Sequence, residues 1–411
     1  MARGVSVVHV LGVRFTGPLM GQAIGFAEEL AALGYCVHGS GFKKQLQLAA
    51  NVSRWLAKCG WELDALASPE VVEAFFVARR EAGYASLRTA RALTPLLEHL
   101  RSLGLVPEAP GPALTPAEMV LQRFRQYLSR ERGLAAMTVD GYVRAASPFV
   151  ERHEATGGGL AFVSSGDVSE FVVRVCSGVS PGMARWTTNG LRALLSFLHV
   201  EGTLARSLVA AVPGAASWRL VGLPRGLEAS EVQLVWASFD RRTNVGRRDF
   251  AIFLLLLRLG LRAGEVADLR LEDIDWRAGT LIVRGKGARH ERVPLPHDVG
   301  AALVSYLRHA SPASALDRSV FVRMRAPHRG ASSAVVKHAM AAAGRRAGLA
   351  KRVGAHRLRH TVATALVAAG SPLPEVAQLL RHRSLQSTSI YAKVDLEALR
   401  SLARPWPAEC A

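Results

Sequence analysis

His356, Arg357, Leu358, Arg359, His360 and Thr361 stand in one run, and His382 and Tyr391 follow soon after it. A tyrosine in the company of arginines and histidines points to one chemistry, attack by a phenol oxygen on a phosphodiester. Negative charge then develops on the phosphorus oxygens and needs cations to hold it. Arginine suits that task, because its planar fork grips two oxygens at once and does not lose its proton. A free phenol titrates at about 10, so Tyr391 needs help to attack at neutral pH. His356 can give it, since an imidazole titrates near neutrality. A lone tyrosine on a helix is usually a packed core residue, so the neighbours carry the assignment.

Further candidates lie upstream. Arg262 sits in Gly260-Leu261-Arg262-Ala263-Gly264-Glu265-Val266, and Glu265 is three positions on, on the same face if the helix continues. Glu265 is therefore a candidate to orient Arg262 or His356. Lys286 lies in the run Gly285 to Leu295, flanked by two glycines, where it is either a reaching cation or an ordinary exposed turn residue. His360 reads as a supporting, structural histidine beside the run.

In this order these motifs resemble the tyrosine recombinases of the phage-integrase family. His356-x-Leu358-Arg359-His360 is similar to that family's H-x-L-R-H box, the Arg262 stretch to its first arginine box, and the Lys286 stretch to its lysine hairpin. The resemblance covers roughly residues 113–400. Two departures stand out: Arg381 occupies a position usually held by glycine, and Leu259 one where a small hydroxyl residue is common. The resemblance implies that Arg262 and Arg359 bind the non-bridging oxygens of the scissile phosphate and that Lys286 protonates the leaving 5′ oxygen. It implies that His356 accepts the tyrosine proton or holds the phosphate, that His382 bonds a phosphate oxygen, and that Tyr391 forms a 3′-phosphotyrosine. The implied partners are duplex DNA, clamped between a helical and a catalytic domain, and further recombinase protomers, four of them on paired sites. Asp395 to Ala403 is the candidate for a helix exchanged between neighbours. The implied role is integration or transposition of a mobile element. A type IB topoisomerase-like enzyme and a DNA-binding accessory protein of low activity are the alternatives.

Composition agrees with such a partner. The chain has 411 residues and a formal charge of +19, which suits a polyanion such as nucleic acid, although a GC-rich genome also yields arginine-rich chains. Four scattered cysteines lack zinc-site spacing and suggest a reducing, cytoplasmic setting. No secretory leader is legible, and the apolar run Ala251 to Leu257 is too short for a bilayer. No metal is expected, because arginine, lysine and histidine supply the charge. No Walker loop occurs, so no cofactor is expected, and strand joining would need no ATP.

The elements that must position these residues read as mainly α, with a small antiparallel sheet in an α+β catalytic domain. Residues 1–110 predict a helical extension, as an extra DNA-binding module or a docking one, joined through a linker at Pro107 to Pro116. Residues 113–210 predict a second helical domain, similar to the core-binding domain of the family. It begins at a capping signal, Thr115-Pro116-Ala117-Glu118. Glu70 to Phe75 parallels Asp167 to Val172, as in a duplicated module or in any two amphipathic helices. After a second linker, Pro213 to Pro224, residues 223–411 predict the catalytic domain. It alternates helices with two strands, Leu281 to Val283 and Arg292 to Leu295.

Overall fold

The computed structural model describes residues 7–108, 114–155, 159–214, 226–285, 290–315, 317–381, 388 and 391. Lys286, His382, the expected exchange helix from Asp395, most of the second linker and most of the helix expected at Ser387 to Tyr391 lie outside the described residues. The chain divides into two compact units, one formed by 1–109 with 222–411 and the other by 110–221.

The chain opens with a hairpin of β1 (Val8–Val10) and β2 (Val13–Phe15). Leu11 and Gly12 turn it, both at positive φ, the twist that a two-residue hairpin loop prefers. Four helices follow: α1 (Ala23–Ala32), α2 (Ser40–Cys59), α3 (Pro69–Glu81) and α4 (Thr94–Ser102). Their apolar faces enclose a core of their own around Phe26, Leu46, Val52, Phe76 and Leu100. Among the described residues, two polar contacts join this segment to the C-terminal part of its unit. Leu33 O accepts from His328 N at 3.4 Å, and Glu98 pairs with Arg329 at 3.2 Å.

The second unit holds α5 (Pro116–Gln126), α6 (Ala136–Ala155), α7 (Ser165–Cys176) and α8 (Pro181–Val200). The capping signal at Thr115 operates as read. Glu118 N donates to Thr115 Oγ1 at 3.2 Å, and Thr115 N donates back to the Glu118 carboxylate at 2.9 Å, satisfying two N–H groups that a bare helix start leaves open. Phe124, Phe149, Phe171 and Leu194 fill the core. Arg192 donates to the carbonyls of Val212 and Pro213, at 3.0 and 3.1 Å.

From residue 226 the chain forms α9 (Ala229–Ala237), α10 (Asn244–Arg258) and the short α11 (Ala263–Ala267). A three-stranded antiparallel sheet follows, in the order β3 (Ile274–Asp275), β4 (Thr280–Arg284) and β5 (His290–Pro294). Leu281 pairs with Val293, and Arg284 with His290. The expected two strands are present; β3 is an addition too short to carry a periodic signal. Helices α12 (His297–His309), α13 (Ser333–Arg346), α14 (Ala355–Ala368) and α15 (Leu373–Leu379) complete the fold. Helix α10 is the hub: Ala251 to Leu256 are all buried, so it is apolar on every side along that stretch. Among the described residues, no helix is long and apolar enough to cross a membrane.

Helix α14 carries the H-x-L-R-H run and is tied to the start of the C-terminal part from below. Arg357 donates to both carboxylate oxygens of Glu231, at 3.1 and 2.8 Å, and to Gly226 O at 3.3 Å. Leu227 N donates to Thr361 Oγ1 at 2.7 Å. The Arg357 and Glu231 side chains are only 15% and 26% exposed, so water screens the pair weakly. R357A is expected to destabilise the protein by roughly 1–3 kcal/mol, the range for a charged hydrogen bond with a partner left behind. Urea unfolding measures this, and an unchanged midpoint would make the pair a bystander to folding.

Candidate active site

Two turns meet at the site. The first joins α10 to α11 and includes Gly260, whose φ of +55° and close approach to Leu380 leave no room for a Cβ: one placed there would lie 2.8 Å from Leu380 Cδ2. The second follows α15 and includes Leu380 and Arg381. Arg359, on the second turn of α14 and 4% exposed, bridges them. Its guanidinium donates to Gly260 O at 2.5 Å and also to Leu380 O. Arg262 is the N-cap of α11 rather than a residue within it. Glu265 reaches back one turn, accepting from Arg262 N at 2.9 Å and from Arg262 Nη1 at 2.5 Å. The proximity expected of Arg262 and Glu265 is thus achieved through a cap.

Burial opposes ionisation of Glu265. The Arg262 backbone N–H, the Arg381 charge and the Arg262 side chain outweigh it and hold the carboxyl below its usual range. Arg359 responds to the opposite pressures: burial, then the nearby charges of Arg262 and Arg381, push it down to about 10. It therefore still carries its charge at neutral pH. Arg262 is the solvent-facing cation, with its side chain 41% exposed.

Tyr391 is 1% exposed and packs against Ala363, Val367, Val376 and Leu380. Its hydroxyl is hydrogen-bonded to Nδ1 of His360 at 2.7 Å. Burial raises the phenol's pKa, with Arg359 opposing, so the group is neutral at pH 7 and its proton must be taken as it attacks. Burial, with His356 and Arg359 nearby, lowers the pKa of His360. A neutral imidazole with its own proton on Nε2 leaves Nδ1 to accept the phenolic one. His356, one turn earlier at the exposed mouth, is also held below its ordinary pKa, by partial desolvation and by the charges of Arg359, Arg262 and Lys337.

The structure therefore brings together Arg262, Glu265, His356, Arg359, His360 and Tyr391. Lys286 and His382 lie outside the described residues. Sequence reasoning assigned His360 a supporting place and gave His356 either the tyrosine proton or the phosphate; His360 is the histidine bonded to the hydroxyl. It gave no role to two further cations at the site. Lys337 on α13 carries no motif that could have marked it. Arg381 was visible as an oddity, and its side chain proves to be buried and paired with Glu265 at 3.2 Å. Its backbone has φ +54°, a left-handed conformation that costs a non-glycine residue about 1–3 kcal/mol.

The arrangement can hold an anion between fixed guanidinium groups beside a phenol with a base at hand. The sequence profile of the phage integrase family matches residues 226–397. The protein y4rA of Sinorhizobium fredii, which bears the name integrase/recombinase, is 36% identical over 402 residues, 96% of each chain. Tyrosine recombinase XerD of Mycobacterium tuberculosis is 32% identical over 300 residues, 69% of this chain and 95% of that protein. Among solved structures, XerH site-specific recombinase bound to palindromic difH substrate, in a post-cleavage complex, superposes with a TM-score of 0.57. It is 19% identical and covers 82% of this chain and 95% of that one. A lambda integrase tetramer bound to a Holliday junction gives 0.51, at 17% identity, with 75% and 87% covered. These two share the fold.

The depressed histidines make a pH prediction. His356 and His360 titrate below about 6.5 when folded and near that value when unfolded. The unfolded chain then binds more protons as pH falls through that range, so stability is full above it and declines on acidification. His99 and His153 shift the same way. The H356Q/H360Q double variant should therefore lose part of the acid-side slope of unfolding free energy against pH and keep the rest. A slope equal to the wild type's would mean that neither site histidine is depressed.

Proposed function

This chain belongs to the phage integrase family of tyrosine recombinases, and from that premise we propose that it is a site-specific recombinase that moves a mobile DNA segment. It cuts and rejoins duplex DNA through a 3′-phosphotyrosine on Tyr391. The observation that carries this is the hydrogen bond between the Tyr391 hydroxyl and His360, set beside Arg359 and the Arg262 cap.

The Tyr391 oxygen attacks the phosphorus as its proton passes to the His360 imidazole. An oxygen–phosphorus bond forms to tyrosine, and the bond to the 5′ oxygen breaks. Arg262 and Arg359 meet the charge that grows on the non-bridging oxygens, where fixed donors act most strongly on the transition state. His356, at the mouth, adds a hydrogen bond to the same phosphate. Lys286 protonates the departing 5′ oxygen and His382 bonds a phosphate oxygen; both roles rest on their motif positions. The 5′ hydroxyl of the partner duplex then attacks the phosphotyrosine and releases Tyr391. One phosphodiester is exchanged for another of similar energy, so no nucleotide is consumed.

The substrate is duplex DNA, in keeping with the charge of +19 and with the DNA present in the XerH and lambda integrase structures. Assembly on paired sites as four protomers follows the lambda integrase tetramer by likeness. The extension 1–110 acts as an additional DNA-binding module.

The test is a nicked suicide duplex carrying the end of the DNA segment that encodes this chain. Wild-type protein should give a covalent adduct on a denaturing gel. Y391F should bind the duplex within about threefold of wild type, because only the attacking oxygen is removed, and give no adduct. An adduct retained by Y391F would place the nucleophile elsewhere.

A further inference from the structure

Arg381 is the outlier of the site. Its side chain is 4% exposed, and its backbone is left-handed, where glycine is at ease and other residues are strained. A long cation held buried in a strained turn needs a return. Its contacts supply one. Arg381 donates to Leu379 O at 2.9 Å, to Leu259 O at 3.4 Å and to Glu265 Oε2 at 3.2 Å. Its own carbonyl accepts from Arg262 Nη2 at 3.4 Å. The two turns that anchor Arg359 are therefore laced together a second time, by Arg381. Among the described residues, Glu265 is the only carboxylate bonded to this group of arginines.

The charge balance follows. Glu265 alone against Arg262 would hold Arg262 in a close ion pair and cancel much of the field that it presents to a phosphate. A second cation on the same carboxylate satisfies it from the buried side. Arg262, the exposed member, keeps its 2.5 Å bond to Glu265 but no longer faces the whole of that charge, and can share its guanidinium with an incoming anion. The three arginines and one glutamate leave a surplus of two positive charges, which matches the charge of a phosphorane better than that of the ground-state diester.

We propose that Arg381 is a positioning residue of the cleavage reaction, which neutralises Glu265 and frees Arg262 for the scissile phosphate. The proposal rests on the recombinase reading of the site. It differs from a packing role in one respect: the damage done by removing Arg381 must depend on the charge of Glu265.

The experiment uses the full chain and the suicide duplex above. R381G suits the backbone, since glycine accepts the left-handed turn, and it removes the cation. E265Q keeps the carbonyl oxygen that caps α11 and removes the anion. Adduct formation by R381G should fall at least tenfold. The R381G/E265Q double variant should recover most of that loss, and R381K should retain more activity than R381G. In a Y391F background, equilibrium binding of the same duplex should follow the same order, read by fluorescence polarisation. R381G at the wild-type rate would overturn the proposal. So would an R381G defect that E265Q leaves unchanged or deepens, because that is the signature of lost packing. If the wild type itself forms no adduct, the recombinase reading fails. The binding cycle still judges the coupling between positions 381 and 265, and its absence overturns the proposal.

Discussion

The carboxylate of Glu265 is the element on which the site depends. Three guanidinium groups crowd a largely buried space, and burial, then the charges of Arg262 and Arg381, depresses the pKa of Arg359. Glu265 offsets this crowding by accepting from Arg262 and Arg381 at once, while a carbonyl of each turn accepts from Arg359. The result is a set of cations fixed before any phosphate arrives, so little reorganisation is left for the moment of reaction. The Tyr391 hydroxyl and His360 stand at the edge of this set, joined to it through Arg359.

The helices of the C-terminal part hold two turns together. Helix α10 delivers Gly260 and the cap of α11 on one side, and α14 and α15 deliver Arg359 and Arg381 on the other. The Arg357–Glu231 pair fastens α14 at a residue between His356 and Arg359, both of the site. The N-terminal segment encloses its own core yet groups with the C-terminal part rather than with residues 110–221. An apolar face on each helix was enough to predict the first fact. The second depends on surface contacts such as Glu98–Arg329, which leave no periodic trace.

Local signals were legible, and lateral ones were not. The Thr115 cap and the β4–β5 pairing each follow from spacing within a few residues. The order of the arginine and histidine motifs likewise marked Arg262, Arg359 and Tyr391. The bond between His360 and Tyr391 was not readable, because the choice between His356 and His360 turns on which helix face meets the tyrosine. Arg381 could be seen to break a pattern, but its partner Glu265 lies far away in sequence, and only packing brings them together.

The central claim is that the exposed arginine acts on the charge of the phosphate. It is tested most directly by comparing R262A with wild type on two suicide duplexes, one with the natural scissile phosphate and one with a neutral methylphosphonate there. On the natural phosphate the loss should be about two to three orders of magnitude, as for removal of one donor from such a site. On the neutral substrate the two proteins should differ far less, because the charge that Arg262 meets has been reduced. An equal loss on both substrates would contradict the claim and leave Arg262 with a structural role.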